Sequence, residues 1–516
     1  MLDLLLTILP RYVTYSDPAA GVSIVNAVAK IAGFKSKTVD FNIMFYNKFK
    51  HDLDMFSRID NWMEMNPANS KGGLNTDRKL NDIDRKELDD VYEMWMDVIE
   101  EHQPKYLGFS VFTQWSIKVA LEYLPLVRKR FPNIKIILGG PGTSPHNDEL
   151  YNTVDYYVQG EGEGAIVAIL NDETENCPGI NGVEPDQMDD MDSIPYPDYS
   201  DFNMDDYICK GEMLRITGSR GCIRRCNFCD HYKWQPKFRW RSGKLIADEM
   251  FYQWSTLPTK PYRFIFTDSL INGNLRMVRE MCNRLIELKA QYNGFDPKWQ
   301  GYFVIGSPLF FTDDDFDLIM AAGCHNMSLG VESGSYEVRL SMNKKVKDEW
   351  FDNHFENAYN RNIDMMWNMF VGFPTETDDD FFKTVALLEK FKWMNEKEGF
   401  TILVLVGEFT MSDEIDWVID NKTDIHFDDN NHWVFTKNQM LVREKRLARL
   451  FFIQNKIYEY GYSYRLINLL GYTTDFRNLE QIYIDRYGIG MFGDYDLYVE
   501  YKTELEKGYK GYEEYA

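Results

Sequence analysis

The chain of 516 residues lacks any run of 18 uninterrupted apolar residues, so no segment reads as a bilayer-spanning helix. Positive charge is scarce: 57 lysines and arginines face 81 acidic residues, for a net charge of −24. An extended nucleic-acid or anionic-membrane surface needs clustered cations to neutralise phosphate, so this balance argues against both and leaves room for a local basic pocket only. The opening Met1–Pro10 lacks a basic n-region and a small-residue cleavage site, carries Asp3, and reads as a buried strand and not a secretory leader. Residues 1–176 hold no cysteine, and four of the seven cysteines (Cys177, Cys209, Cys282 and Cys324) are scattered singly. That is a poor disulfide framework and fits a reducing compartment. A repeat of solenoid type is also missing. What is abundant is core material, with 44% hydrophobic and 15% aromatic residues. Spread over 516 residues, it suits two or three domains. The expectation is a soluble cytoplasmic protein.

The other three cysteines fall within eight residues, in Gly221-Cys222-Ile223-Arg224-Arg225-Cys226-Asn227-Phe228-Cys229. Three thiolates on one short loop can converge on a soft metal centre. An iron–sulfur cubane normally takes four cysteines, so three would leave one iron open to another ligand. Zinc bound by the three cysteines and nearby His231 is the rival reading of the spacing. Both remain open at this level.

Along the chain, Leu4–Leu9, Ser36–Phe41, Tyr106–Val111, Ile134–Leu138 and Tyr156–Val158 read as strands. Helix-patterned Gly21–Ala32 and Ile117–Arg130 lie between them, and residues 44–103 look like a polar helical insertion. Such alternation implies a parallel sheet in a Rossmann-like domain over 1–170, with ligands at the carboxyl ends of its strands. The glycine loops Gly139-Gly140-Pro141-Gly142 and Gly160-Glu161-Gly162-Glu163 sit at those ends. Residues 171–210, with Pro195 and Pro197, read as a linker. Six further strands follow over 211–410: Leu214–Thr217, Arg263–Thr267, Gly301–Ile305, Asn326–Val331, Met365–Val371 and Thr401–Val406. With crossover helices such as Lys244–Trp254 and Met277–Tyr292 they predict a partial (β/α)6 TIM-type barrel, whose chemistry belongs at the C-terminal mouth. The cysteine loop follows its first strand. Residues 411–516 are expected to be mainly helical, with Val442–Tyr460 as one amphipathic helix and a tyrosine-rich acidic tail from Tyr483.

With these elements in place, residues 1–410 resemble a radical S-adenosylmethionine enzyme with an N-terminal cobalamin-binding domain. The C-x3-C-x2-C loop is similar to that superfamily's cluster signature, with Gly221 before it and Phe228 inside it. Gly218-Ser219-Arg220-Gly221 leads in as in relatives, and Arg239-Trp240-Arg241-Ser242 follows at a familiar distance. Phe266-Thr267-Asp268-Ser269, Gly330-Val331-Glu332-Ser333-Gly334 and Val371-Gly372-Phe373-Pro374-Thr375-Glu376-Thr377 end three strands in the family's order. The resemblance implies a 4Fe-4S cluster on Cys222, Cys226 and Cys229. It implies S-adenosylmethionine held near Phe228, Arg241, Asp268, Ser269, Glu332, Ser333 and Gly372, with the cofactor supplying the hard chemistry through a 5′-deoxyadenosyl radical. Asp17-Pro18-Ala19-Ala20-Gly21, Ser110-Val111-Phe112-Thr113 and the two glycine loops resemble the cobalamin-binding domain of this subfamily, implying a corrin near Ser110, Phe112, Thr113, Gly139, Gly140, Gly142, Gly160 and Glu161. The Asp-x-His-x-x-Gly motif that ligates cobalt in other cobalamin proteins is absent.

Plainer roles compete. Glu332 could cap the following turn, Asp268 serve as a strand-end carboxylate, Arg241 pair with a neighbouring acid, and His231 stay structural. Cys282 and Cys324 read as small buried residues. The resemblance implies a cobalamin-dependent methyltransferase acting on an unactivated carbon or phosphorus of a small-molecule or peptide substrate. A flavodoxin or ferredoxin would supply electrons. Radical cyclisation or rearrangement without methyl transfer is the alternative, as is a domain that no longer binds cobalamin. A methylthiotransferase is disfavoured because its family carries cluster cysteines in the N-terminal domain. A zinc-stabilised or cobalamin-sensing interaction protein is the non-catalytic reading.

Overall fold

The computed structural model describes residues 2–11, 14–63, 79–143, 148–409, 411, 415–427, 433–438, 441–463, 480–481, 484 and 489–515. The chain divides into two compact units, one of residues 1–66, 72–216 and 248–265, the other centred on 217–247 and 266–516.

The first unit runs β1 (Leu4–Ile8), α1 (Ala20–Ile31), β2 (Ser36–Val39), α2 (Phe41–Phe49), α3 (Leu53–Met63), α4 (Asp82–His102), β3 (Tyr106–Ser110), α5 (Ile117–Arg130), β4 (Lys135–Gly139), α6 (Asp148–Tyr151), β5 (Tyr156–Tyr157) and α7 (Gly162–Leu170). Its sheet has the order β2-β1-β3-β4-β5 with every pairing parallel. All five residues of β1 are buried, which is why it reads as an unbroken apolar run and not an alternating one. The predicted strand Ser36–Phe41 stops early because Asp40 accepts the Ile43 N–H at 3.0 Å and caps α2. Of the expected insertion, α2, α3 and α4 are helical, while residues 64–78 lie outside the described residues. Helix α4 buries Leu88, Val91, Tyr92, Trp95, Met96 and Ile99, a 3–4 spacing that lays one face on the core.

Residues 171–210, read as a linker, hold nothing longer than 3-10 turns. They are nonetheless packed onto the first unit. Met191 and Ile194 are buried against Ile24 of α1, and Asp198 and Asp201 accept from Lys30 at 2.6 and 3.1 Å. Tyr207 donates to the buried Asp40 at 2.8 Å. Asp17, of the Asp-Pro loop, is fully buried and pairs with Arg215 at 2.7 Å, so this motif residue serves as an internal clamp.

The barrel-type sheet contains β6 (Met213–Ile216), β9 (Arg263–Phe266), β10 (Lys298–Phe303), β11 (Cys324–Glu332), β12 (Asp364–Val371) and β13 (Ile402–Glu408) in the order β13-β12-β11-β10-β9-β6. A short pair, β7 (Ser219–Arg220) with β8 (Arg239–Trp240), flanks α8 (His231–Trp234). The remaining helices are α9 (Gly243–Thr256), α10 (Leu275–Gln291), α11 (Asp313–Ala321), α12 (Tyr336–Ser341), α13 (Asp348–Asn360) and α14 (Asp378–Phe391). Pairing is parallel from β10 to β13, so their carboxyl ends share one edge. Beyond β13 come α15 (Asp416–Asp420), an antiparallel pair β14 (Ile425–Phe427) and β15 (Trp433–Phe435), α16 (Arg443–Glu459) and a helix over Tyr495–Gly508. The β14–β15 pair is an addition to the helical region expected there. Tyr483 lies outside the described residues.

His354 of α13 is buried beside the rings of Phe311 and Phe316, with centroids 6.1 and 5.5 Å away. Burial pushes its imidazole down to about 4, against 6.5 in the open. The unfolded chain therefore binds a proton that the folded chain refuses. The stability tied to His354 is intact above pH 6.5 and lost as pH falls towards 4, up to roughly 3 kcal/mol. Replacing it in His354→Leu should flatten the decline of Tm between pH 6.5 and 5, read as the difference in slope from the unsubstituted chain. Buried Asp40 and Asp268, both pushed up to about 6, titrate in the opposite sense in both proteins and drop out of that difference.

Candidate cofactor site

The cysteine loop follows β6 and is held by backbone contacts on three sides. Gly221 adopts φ +85°, and a Cβ there would collide with the Lys237 carbonyl, so only glycine fits. Its N–H donates to Gln235 Oε1 at 2.7 Å. Asn227 donates from its backbone to the Met342 carbonyl (2.9 Å) and from its side chain to Ser341 O (3.1 Å). The Asn343 amide donates to Arg225 O at 2.7 Å. Cys222, Cys226 and Cys229 are free and half-buried, and Cys226 lies within electrostatic reach of the other two. Burial pushes the Cys226 thiol up to about 11 against the opposing pull of the Lys344 ammonium. Cys229 is raised chiefly by burial as well.

Among the described residues no three His, Cys, Asp or Glu side chains converge on one ion. A mononuclear zinc site needs its sulfurs about 2.3 Å from a single point, whereas a cubane takes each thiolate on a separate iron. Three thiols carried on one short loop, with Cys226 in electrostatic reach of the other two, are a donor set that suits such a cubane. His231 is engaged by the Ser269 hydroxyl, and burial lowers its imidazole.

Around that loop, the end of β11 carries Glu332 in the left-handed region at φ +62°, a strained conformation for a residue with a side chain. Glu332 is buried and accepts from Lys344 Nζ at 2.5 Å. A Cβ on Gly330 would meet the charged ends of both partners, which would have to shift to admit it. Lys344 was missed in the sequence. Its position twelve residues past Glu332, in Asn343-Lys344-Lys345, carries no signal without the fold.

The other expected residues are committed mainly to the protein itself. Asp268 is buried and accepts from the Gly218 N–H (2.9 Å) and from the Ser219 hydroxyl (2.5 Å), locking the lead into the cysteine loop. Arg241, also buried, donates to the Thr217 carbonyl at 3.1 Å. The Ser333 hydroxyl meets Thr384 at 3.0 Å inside the core. Gly372 adopts φ +81° against the methylenes of Arg446, and its N–H donates to Glu376 Oε2 at 2.8 Å. Phe228 packs edge-on to Phe370 at 5.1 Å.

In the first unit, the order 2-1-3-4-5 places its topological switch point between β1 and β3. Arg11, just past β1, is held at φ +67°. Its guanidinium is bidentate to Asp60 and lies over Trp115 at 4.6 Å. Its carbonyl accepts from the Thr113 hydroxyl at 2.9 Å. Gly140 and Gly142 are glycine because a Cβ would run into the backbone of Val111 and Thr113, so they close one strand-end loop on another. Gly160, at φ +82°, makes room for Pro185, and Glu161 accepts the Met188 N–H at 2.8 Å. Gly139 differs: a Cβ there would sit in ordinary contact, 3.8 Å from Val158. With half-buried Ser110 it presents a small-residue surface at strand ends that fits a flat, bulky group such as a corrin, while half-buried Phe112 packs against the core of the first unit.

Removing one partner of the Glu332–Lys344 pair strands a buried charge, a loss of about 3–5 kcal/mol. In denaturant unfolding of the cluster-free protein, Lys344→Met should lose that much. Adding Glu332→Gln to Lys344→Met should restore most of it. Equal losses in the single and double variants would show that the pair is not coupled.

Comparison with known proteins agrees with this layout. Residues 216–388 match the Radical SAM superfamily and residues 79–170 the B12 binding domain. The chain is 21% identical over 313 residues to an uncharacterized methyltransferase of Pyrococcus horikoshii, covering 57% of this chain and 66% of that one. It is 25% identical over 254 residues to bacteriochlorophyllide d C-12(1)-methyltransferase of Chlorobaculum tepidum, covering 48% of this chain and 52% of that one. The matched part thus spans less than two thirds of either relative. The structure of the radical S-adenosylmethionine methyltransferase TsrM from Kitasatospora setae, with cobalamin and a [4Fe-4S] cluster bound, superimposes with a TM-score of 0.61 at 14% identity, over 98% of this chain and 100% of that one. At that identity the likeness is one of fold. With the cysteine loop and the switch-point sheet, these matches place the chain in the radical SAM superfamily, with a B12-binding domain ahead of its radical SAM domain.

Proposed function

We propose that this protein is a cobalamin-dependent radical S-adenosylmethionine methyltransferase, methylating an unactivated carbon or phosphorus of a small-molecule or peptide substrate. The observation that carries the reading is the three-thiol loop next to the buried Glu332–Lys344 pair, in a chain that also has a B12-binding domain. When bound, a 4Fe-4S cluster would supply the electron that cleaves S-adenosylmethionine, and cobalamin would carry the methyl group.

The chain's own residues do the holding. Cys222, Cys226 and Cys229 would bind three irons and leave the fourth to the amino and carboxylate groups of S-adenosylmethionine. Glu332 offers a carboxylate to the ammonium of that amino acid, and Lys344 an ammonium to its carboxylate. Their ion pair is the arrangement those two groups would exchange for the ligand's own charges. Asp268 and Gly221 act by holding the loop, since their polar contacts lie within the protein. Ser110 and Gly139, half-buried at neighbouring strand ends, are the positions offered to a corrin.

Protein reconstituted without oxygen, given hydroxocobalamin and then desalted, should show corrin absorption superimposed on the broad band of the cluster. Cys222→Ala should abolish the cluster band and leave the corrin. With substrate extracts and S-adenosylmethionine, both S-adenosylhomocysteine and 5′-deoxyadenosine should accumulate. A corrin-free spectrum would sink the methyltransferase reading. 5′-Deoxyadenosine without S-adenosylhomocysteine would point to cyclisation or rearrangement.

A further inference from the structure

Between the second and third cysteines of the loop stand Asn227 and Phe228, whose conformations set how far apart Cys226 and Cys229 lie. Both are held by chain from beyond β13. The backbone N–H of Trp417, in the first turn of α15, donates to the Asn227 carbonyl at 3.0 Å. With its contacts to Met342 and Ser341, Asn227 thus has its N–H, its carbonyl and its side-chain amide all engaged. Phe228 packs on a hydrophobic cluster of buried residues. Three members, Val338, Met342 and Phe373, belong to the barrel-type part of the chain, and all the others lie between Phe409 and Phe435. The seat of Phe228 is therefore supplied mainly by the C-terminal region. Its rings form a continuous line: Phe228 to Phe370 at 5.1 Å, Phe370 to Phe373 at 6.3 Å, Phe373 to Trp417 at 5.4 Å and Trp417 to Phe435 at 4.9 Å. The far end is anchored on α16, because Arg446 donates to the carbonyl of Trp433, two residues before Phe435 in β15, at 3.1 Å.

Hydrophobic burial alone would hide these rings anywhere in the unit. It does not call for a backbone donor on the peptide that joins the second cysteine to the third. A loop that presents three sulfurs to one cluster works best when its supporting residues are fixed beforehand, because a loose loop loses its conformational freedom at the moment of assembly. We propose that residues 409–435 clasp the cysteine loop, with Trp417 as its positioning residue. Its N–H fixes Asn227, and its indole continues the line of rings that seats Phe228, so the three thiols are held in place and shielded from solvent before any cluster is present. The cluster reading above gives the clasp its use, while the clasp itself belongs to the chain alone.

The test is alkylation of the full, reduced, cluster-free chain with iodoacetamide, each cysteine followed by peptide mass spectrometry. Cys222, Cys226 and Cys229 report the loop, whereas Cys282 and Cys324, buried in the same unit, report opening of that unit as a whole. Trp417→Leu keeps the position apolar but breaks the line of rings. It should speed alkylation of the three loop cysteines at least about fivefold and leave Cys282 and Cys324 within about twofold, the pattern of a local opening. Trp417→Phe should return the loop to near the parent rate. After cluster assembly, the cluster band of Trp417→Leu should bleach in air about fivefold faster than that of the parent. Equal acceleration at all five cysteines would reduce Trp417 to a core residue and overturn the proposal, as would unchanged rates at the loop. Should Trp417→Leu not fold, Phe435→Leu loosens the indole from its other side and is read by the same two patterns. A parent chain that assembles no cluster would overturn the cluster reading, and the alkylation pattern would still decide the clasp.

Discussion

Four carboxylates are buried, or nearly so, along the carboxyl ends of the barrel-type strands, and the shape of that edge follows from the need to satisfy each one. Asp268 follows β9, Glu332 ends β11, Glu376 follows β12 and Glu408 ends β13. An unpaired charge in such a place costs several kcal/mol, so every one recruits donors. Asp268 takes the backbone and hydroxyl that open the cysteine loop. Glu376 takes the Gly372 N–H and Arg449 Nη1, both at 2.8 Å. Glu408 takes Arg446 Nε at 2.8 Å. Helix α16 is thus fastened to two strand ends by arginines, one of which also lies over Trp433 at 3.7 Å.

The four carboxylates differ in how rigid their partners are. Asp268 spends both oxygens on the Gly218 N–H and the Ser219 hydroxyl. Glu376 commits Oε2 to the Gly372 N–H and Arg449, while its Oε1 is left without a partner among the described residues. Glu408 is held by a buried guanidinium that is itself tied to the Trp433 and Leu441 carbonyls. Glu332 has a single flexible lysine as partner, carries the only positive φ among the four, and contributes to the electrostatics of Cys226 and Cys229. Strain persists where surrounding structure over-determines it, and here the surrounding structure is the cysteine loop and the glycine gap at Gly330.

Much of the fold was legible because it is written in local patterns: the buried run of β1 and the alternation of strands and helices along the chain. The cysteines were legible because they share one loop. Partnerships across long sequence distances were not. Lys344 beside Glu332, Arg446 and Arg449 on the β12 and β13 ends, and Arg11 under Trp115 join residues that no spacing rule connects. Residues 171–210 misled for the opposite reason. Their proline and acid content reads as linker, yet Asp198 and Asp201 are the counter-charges of Lys30, and the segment's apolar residues pack on α1.

Motif glycines deserve the same separation as the carboxylates. Gly140, Gly142, Gly221 and Gly334 are required by backbone atoms of the protein that lie where their Cβ would be. Such glycines would persist in the fold with no cofactor at all, so their presence in a motif says little about binding. Gly139 and Gly164 meet no such obstacle. Gly164 is exposed in the first turn of α7, whereas Gly139 ends the strand that neighbours the switch point of the sheet. Gly139 thus stands, with no backbone obstacle to a Cβ, at the edge where parallel sheets of this topology receive their ligands.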